Sequence, residues 1–424
     1  MKPPSQPERS LPPPPEQVVR ITTESLEDGD RFSRFELISW WDQERMRQAK
    51  VLVIGAGALG NEILKNCALL GIGNVLVADM DVIENSNLSR SVLFRAADSG
   101  APKAETACRG ARGIYPEMNI HPFNGNIVHD LGLGVYLWAD VIIGGLDNRE
   151  ARVAMNSGAF FARKPWIDGA IEVLDGVARV FSPADDGPCY ECTMSATDWK
   201  MLENRRSCAL LTREQMLSGK VPTTPTTASI VAGIEMQEAT KIIHGIAPMA
   251  GRALIYNGLN ADSYPVTYQR KEDCYGHETY QELLLLGCGV ADLTVGELLV
   301  RARQDLGSES AVIGLARDVI SHLSCPVCFS QEEVFKSLGK VTEADAVCPD
   351  CGKTRVPVTF TTLGLDDQLD GVRFSELGVP LFDIVTARSG ERSISYVFDG
   401  DAARLLGPLP TRLSLMDSPP EGGE

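Results

Sequence analysis

Between Val51 and Pro183, short apolar runs alternate with longer stretches whose apolar positions recur every three or four residues. The runs Val51–Ile54, Val75–Ala78, Val141–Gly144 and Pro165–Asp168 are apolar and largely β-branched, the pattern of strands buried in a parallel sheet. Between the first two, Ile63, Leu64, Cys67 and Leu70 fall on one face of a helix. The alternation predicts an α/β fold, a doubly wound and mostly parallel sheet covered by helices on both faces. Such sheets receive ligands at the carboxyl ends of their strands. Residues 31–50 are expected to form an opening helix. Residues 193–227 are polar and proline-bearing, and are expected to form a long crossover loop hinged at Val221-Pro-Thr-Thr-Pro-Thr-Thr227. Ile230, Ile234, Ala239 and Ile242 then predict a helix over Ser229–Gly245.

Punctuation divides the 424 residues further. Prolines crowd residues 1–20, a tail expected to be disordered, and residues 418–424 look the same. The nucleotide-binding part is expected over 21–270 and a smaller module, with its own cysteine pairs, over 271–417. No apolar run approaches the roughly 18 residues of a membrane span, and the N-terminus lacks the apolar core of a signal peptide, so a cytoplasmic protein without a membrane partner is expected. Eleven cysteines in a chain of this kind suggest metal ligation in a reducing compartment rather than disulfides. The net charge of −17 argues against nucleic acid as a partner.

The candidate chemistry starts where the first strand stops, at Gly55-Ala-Gly57-Ala-Leu-Gly60. Strand, glycine turn and helix N-terminus present backbone N–H groups to phosphate oxygens, and Asp79 ends the next strand at the spacing from which a carboxylate reaches a ribose. Asp81, Asn87 and Arg90 follow, then Lys103 and, after another strand, Asp147-Asn148. Carboxylates, an amide and cations at the end of one sheet can hold a ribose and a polyphosphate together. Separately, Cys325-Pro-Val-Cys328 and Cys348-Pro-Asp-Cys351 have the spacing of a zinc ribbon, and the run beginning at Val356 reads as a ribbon strand.

In order and spacing, residues 31–260 resemble the ubiquitin-activating-enzyme superfamily, which includes the ThiF and MoeB adenylyltransferases. The resemblance rests on the glycine loop, on Asp79-Met-Asp81-Val-Ile-Glu-Asn-Ser-Asn87-Leu-Ser-Arg90, on Gly100-Ala-Pro-Lys103-Ala, and on Leu146-Asp147-Asn148. It implies a ThiF-type Rossmann-like fold that uses ATP and Mg to adenylate the C-terminal glycine of a ubiquitin-like protein. Gly55, Gly57 and Gly60 would cradle the nucleotide, with Asp79 on the ribose and Asp81 beside it. Asn87, Arg90 and Lys103 would contact phosphates, and Asp147 would hold Mg. Arg34, in Arg31-Phe-Ser-Arg34-Phe35, would reach a partner subunit's ATP in a homodimer. Phe35 and Ser91 depart from the family pattern, which has Gln at both places.

The resemblance also implies a closed zinc site of Cys189, Cys192, Cys274 and His277, and a catalytic Cys208 in the crossover loop. Arg205 and Arg206 beside Cys208 would favour its thiolate. The tail would then pass to Cys208 as a thioester and on to a conjugating enzyme, as in a eukaryotic-like branch that some bacteria encode in antiviral operons. The alternative stops at the acyl-adenylate, as sulfur-carrier adenylyltransferases do. Cys67, Cys108 and Cys288 are expected to be packing residues.

Overall fold

The apolar run at Val51 forms β1 (Lys50–Ile54), buried from Val51 onward. In the computed structural model, whose described residues are 30–183, 186–207, 222–364 and 367–413, β1 lies inside an eight-stranded sheet of order β3-β2-β1-β4-β5-β6-β7-β8. The other strands are β2 (Asn74–Asp79), β3 (Asn119–Asn124), β4 (Val141–Gly144), β5 (Trp166–Glu172), β6 (Asp175–Phe181), β7 (Arg252–Asn257) and β8 (Asp262–Thr267). The pairs from β3 across to β5 are parallel, as expected. The pairs from β5 across to β8 are antiparallel. The chain leaves β1 toward β2 on one side and returns to β4 on the other. Their carboxyl ends therefore flank a topological switch point, where such sheets open a crevice.

Alternate residues of the central strands enter two cores. Val51, Val53, Val75, Val77, Val141 and Ile143 face α2 (Ala58–Leu70), α3 (Lys103–Ile114) and the long helix α7 (Pro225–Ile243). Leu52, Ile54, Leu76, Ala78 and Ile142 face α4 (Gly134–Trp138) and α5 (Arg149–Phe161). Each valine, leucine or isoleucine among them contributes about 1.5–3 kcal/mol on burial, so a charge on either face of these strands would be costly.

Two expectations for connecting segments need correction. Residues 31–50 are not one helix: a single 3-10 turn (Phe35–Leu37) precedes the short α1 (Gln43–Gln48). Asp42 accepts the Arg45 N–H at 3.1 Å and so starts a helix there instead of letting one run through. Nor is 193–227 all loop, because α6 (Ala196–Ser207) lies within it. Ser195 and Asp198 cap α6 reciprocally, but the helix lacks an apolar stripe and gave no periodic signal. The threonine-rich segment is in part a helix start: Thr224 caps α7, with Pro225 in its first turn. Val173 ties this segment to the β5–β6 turn, donating to the Pro222 carbonyl at 2.7 Å and accepting from the Thr224 hydroxyl at 3.0 Å.

A second sheet has the order β11-β10-β13-β14-β9, with β12 also on β10. Its strands are β9 (Leu283–Leu285), β10 (Val312–Ser324), β11 (Gln331–Ser337), β12 (Val356–Leu363), β13 (Ile384–Ser389) and β14 (Arg392–Val397), and α8 (Val295–Leu306) covers it. A short helix, α9 (Ala402–Leu406), follows. The two sheets meet through shared packing: Leu131, Val135 and Tyr136 lie in one core with Phe382, Ile384, Val397 and Leu406. At that seam Gly134 donates to the Phe382 carbonyl at 2.9 Å, and a Cβ on Gly134 would meet the Phe382 ring at 2.5 Å. No helix among the described residues is long and apolar enough to cross a membrane.

Candidate nucleotide site

The chain leaves β1 through Gly55 at φ +95°, a conformation that L side chains rarely adopt. A Cβ on Gly55 would lie 2.5 Å from the Gly145 carbonyl oxygen, and one on Gly60 would lie 1.9 Å from that of Gly55. These two glycines therefore serve backbone packing: the first turn of α2 sits on the loop, and the loop on the turn after β4. Gly57 has nothing within 4 Å of the place a Cβ would take. It caps α2 without a side-chain partner, leaving first-turn N–H groups and the positive end of the helix dipole toward the cleft.

Asp79 braces this loop. Its Oδ2 accepts from the Ala56 N–H at 2.7 Å and its Oδ1 from that of Asp81 at 2.8 Å. Burial pushes its pKa up, against the opposing pull of Lys103 and the two N–H groups. Each carboxylate oxygen can accept a second hydrogen bond, so capacity for a ribose hydroxyl remains. Lys103 is the first residue of α3 and pairs with Asp81 at 2.7 Å. Asn87 Oδ1 accepts from Glu84 N–H at 2.9 Å, and Arg90 donates to the Ser86 carbonyl at 2.7 Å. Arg90 has no carboxylate partner among the described residues, which leaves its remaining donors for an anion. Asp147 is exposed in the turn between β4 and α5, against the Asn148 amide at 3.3 Å, while Asn148 caps α5 by accepting from Ala151 N–H at 2.8 Å.

One cleft of about 2000 Å³ brings these residues together: Gly55, Gly57, Asp79, Asp81, Asn87, Arg90, Lys103 and Asp147 all line it. Gly60 stands behind the loop. Arg34 is exposed ahead of the 3-10 turn and does not line the cleft. Cys208 lies outside the described residues.

The sequence reading missed a buried charge cluster that supports the turn carrying Asp147. Arg152 pairs with Asp168 at 2.7 Å and donates to the carbonyls of Leu146 (2.6 Å) and Gly169 (3.1 Å). Arg179 pairs with the other Asp168 oxygen at 2.7 Å. An arginine one turn into a helix otherwise lined with apolar residues was the available signal. Beneath the cluster, Glu235 on α7 is fully buried, and neither of its oxygens has a hydrogen-bond partner. Burial, reinforced by Asp168, pushes its pKa well above the usual carboxylate range.

Both cysteine clusters assemble. Cys189, Cys192, Cys274 and His277 offer ligand atoms within 4.8 Å of one another, and so do Cys325, Cys328, Cys348 and Cys351. Sulfur separations are 3.8 Å (Cys189–Cys192), 3.6 Å (Cys189–Cys274), and 3.5 Å for both Cys325–Cys351 and Cys328–Cys348. A tetrahedral zinc with bonds of about 2.3 Å sets its sulfurs about 3.8 Å apart, so both donor sets fit that ion. His277 Nε2 lies 3.1 Å from the Cys192 sulfur. Cys67 and Cys108 are buried thiols whose pKa burial pushes up to about 12, which agrees with packing roles.

A Gly-turn sheet with cations, carboxylates and helix N-termini converging at its switch point defines a nucleotide-binding α/β protein. The ThiF family model matches residues 30–276, more than half of the chain, and the chain belongs to that family. It is 31% identical over 261 residues to the sulfur carrier protein adenylyltransferase of Thermus thermophilus, covering 60% of this chain and 92% of the relative. It is 32% identical over 260 residues to the SAMP-activating enzyme E1 of Haloferax volcanii, covering 58% of this chain and 87% of the relative. Among solved structures, E. coli MccB with MccA-N7isoASN shares the fold at TM-score 0.50 and 22% identity, over 59% of this chain and 75% of that one. The match ends before the second sheet begins at Leu283.

Proposed function

We propose that this chain uses ATP to adenylate the C-terminal carboxylate of a small ubiquitin-like protein. The observation that carries the reading is the convergence of Gly57, Asp79, Arg90, Lys103 and Asp147 on one cleft in a ThiF-family chain. The names of the relatives point to the same chemistry. A carboxylate approaches a polyphosphate against charge repulsion, so the site must supply positive charge at the α-phosphate. Arg90, Lys103 and the first turn of α2 would do so, and Asp79 would hold the ribose. Asp147 would hold Mg, which would neutralise phosphate charge. The carboxylate oxygen then bonds to the α-phosphorus as the α–β anhydride breaks and pyrophosphate leaves.

The chain is read as one adenylation domain (21–270) followed by the smaller module (271–417), acting as a homodimer in which Arg34 reaches the partner's nucleotide. In the fuller form of this reading the Cys208 thiolate attacks the acyl carbon, AMP leaves, and a conjugating enzyme receives the thioester. The relatives' names favour the shorter form, which ends at the acyl-adenylate. ATP–pyrophosphate exchange with a panel of ubiquitin-fold proteins ending in Gly-Gly tests the first step. Asp147→Asn should slow it about 10²–10³-fold without changing the melting temperature, and unchanged exchange would overturn the assignment. A thiol-sensitive adduct lost in Cys208→Ala would select the fuller form, and its absence the shorter.

A further inference from the structure

The second sheet carries an interruption that its own pairing does not account for. β10 pairs with β12 as far as Gly314↔Thr362 and resumes at Val319↔Phe360, so that Leu315 to Asp318 face the single residue Thr361. On the other edge of β10, pairing with β13 ends at Gly314↔Thr386 and pairing with β11 begins at Val319↔Ser337. Among the described residues, Leu315 to Asp318 thus have no ladder partner on either side. A strand segment that has lost its register partners can offer backbone groups to another chain.

Arg317 ties this segment to the connection between β3 and α4. It donates to the carbonyls of Val128 (2.6 Å) and Leu131 (2.5 Å) and pairs with Asp383 at 2.6 Å. The pinned segment, with Thr361 and Thr362, lines the same cleft as Gly57, Arg90 and Asp147. At about 2000 Å³ that cleft exceeds the roughly 300–1,000 Å³ of an ordinary small-molecule pocket, so a nucleotide would fill only part of it.

We propose that the bulged segment Leu315–Asp318, with Thr361 opposite, binds the extended carboxyl-terminal tail of the polypeptide substrate and aims its last carboxylate at the nucleotide. The inference rests on the adenylation reading and adds a substrate site outside the region that the family match covers. A tail ending in glycine offers few side chains to recognise, so main-chain hydrogen bonds must carry much of its affinity, as in strand addition to a sheet. Bulges that end a ladder beside an active site are a recurrent way of freeing such groups. The second sheet thereby becomes the wall along which the tail slides, rather than an appendage.

The test uses the full chain, a synthetic peptide ending in Gly-Gly and a non-hydrolysable ATP analogue. Amides of residues 315–318 and 361 should exchange about tenfold more slowly when the peptide is bound. Ala316 is exposed, so Ala316→Trp should fold normally while filling the wall. In pyrophosphate exchange it should raise the KM for a Gly-Gly-terminated ubiquitin-fold protein about tenfold, a loss of about 1.4 kcal/mol, with the KM for ATP unchanged. Absent peptide binding, unslowed amides in a bound complex, or an unchanged KM in Ala316→Trp each overturn the tail site. If the wild type exchanges pyrophosphate with no ubiquitin-fold protein, the adenylation reading falls and this inference with it. Exchange that persists with an unchanged KM in Ala316→Trp removes only the tail site.

Discussion

The two cysteine clusters have matching donor geometry and opposite surroundings. Cys189 and Cys192 are buried beside Trp166, Phe181 and Tyr190, in the core that joins the two sheets, and Phe160 packs edge-on to His277 at 5.4 Å. Cys328 and Cys351 are exposed, and the ribbon formed by the end of β10, β11 and the start of β12 has, among the described residues, Ile320, Leu323, Val341 and Ala346 as its buried apolar cluster. At the first cluster a metal would add to packing that already exists. At the second a metal would have to stand in for a core, because so few apolar side chains cannot offset the entropy of ordering the ribbon.

The sharpest way to break this contrast is to remove the second metal. Cys348→Ser should unfold the ribbon locally, since zinc supplies on the order of 10 kcal/mol to small modules that depend on it. Hydrogen exchange should then show lost protection across residues 320–358 while the amides of β1 and β4 stay protected; a ribbon that remains protected would show that the four-residue core suffices. The corresponding change at the first cluster, Cys192→Ser, should cost about 3 kcal/mol and lower the melting temperature of the whole first sheet in one cooperative transition. A separate early transition would mean that the first cluster, too, holds up a local module.

If backbone packing holds the first region, one methyl group placed there should rival the loss of its metal. Gly60→Ala puts a carbon 1.9 Å from the Gly55 carbonyl and should cost about 2 kcal/mol, with weaker ATP binding by calorimetry. Unaltered stability would show that the loop can yield. The smallest effect concerns Glu235. Its folded pKa is raised, so the folded state resists ionisation that the unfolded chain undergoes above about pH 4.3. Stability is therefore intact below that pH and declines as pH rises toward the folded value. Glu235→Gln should gain about 1 kcal/mol over the wild type near pH 8, seen as a higher urea midpoint, and the gain should shrink toward pH 4. A gain independent of pH would assign the effect to packing instead.

Most of the nucleotide cleft could be read in the chain itself. Gly55, Asp79, Arg90, Lys103 and Asp147 belong to short strand–turn–helix units, in which backbone geometry over a few residues demands particular side chains. The central parallel strands β1, β2, β4 and β5 were equally visible, because burial on both faces leaves an unbroken apolar run. Three of the elements that went unseen had no such signature. α6 has capping residues but no apolar stripe, and β3 (Asn-Ile-His-Pro-Phe-Asn) and β8 (Asp-Ser-Tyr-Pro-Val-Thr) carry a proline and several polar residues at the two edges of their sheet, where burial is partial and alternation weak.

The amino-acid order alone thus determined the glycine turn, the succession of cleft residues and the spacing of the ribbon cysteines, because each arises from contacts between near neighbours in the chain. Only the tertiary structure decided that Arg152 and Asp168 would meet under the Asp147 turn, and that the bulge at Leu315–Asp318 would line the same cleft as Gly57. Those meetings join residues far apart in the chain, and nothing local specifies them; they follow from how two sheets pack across one shared core.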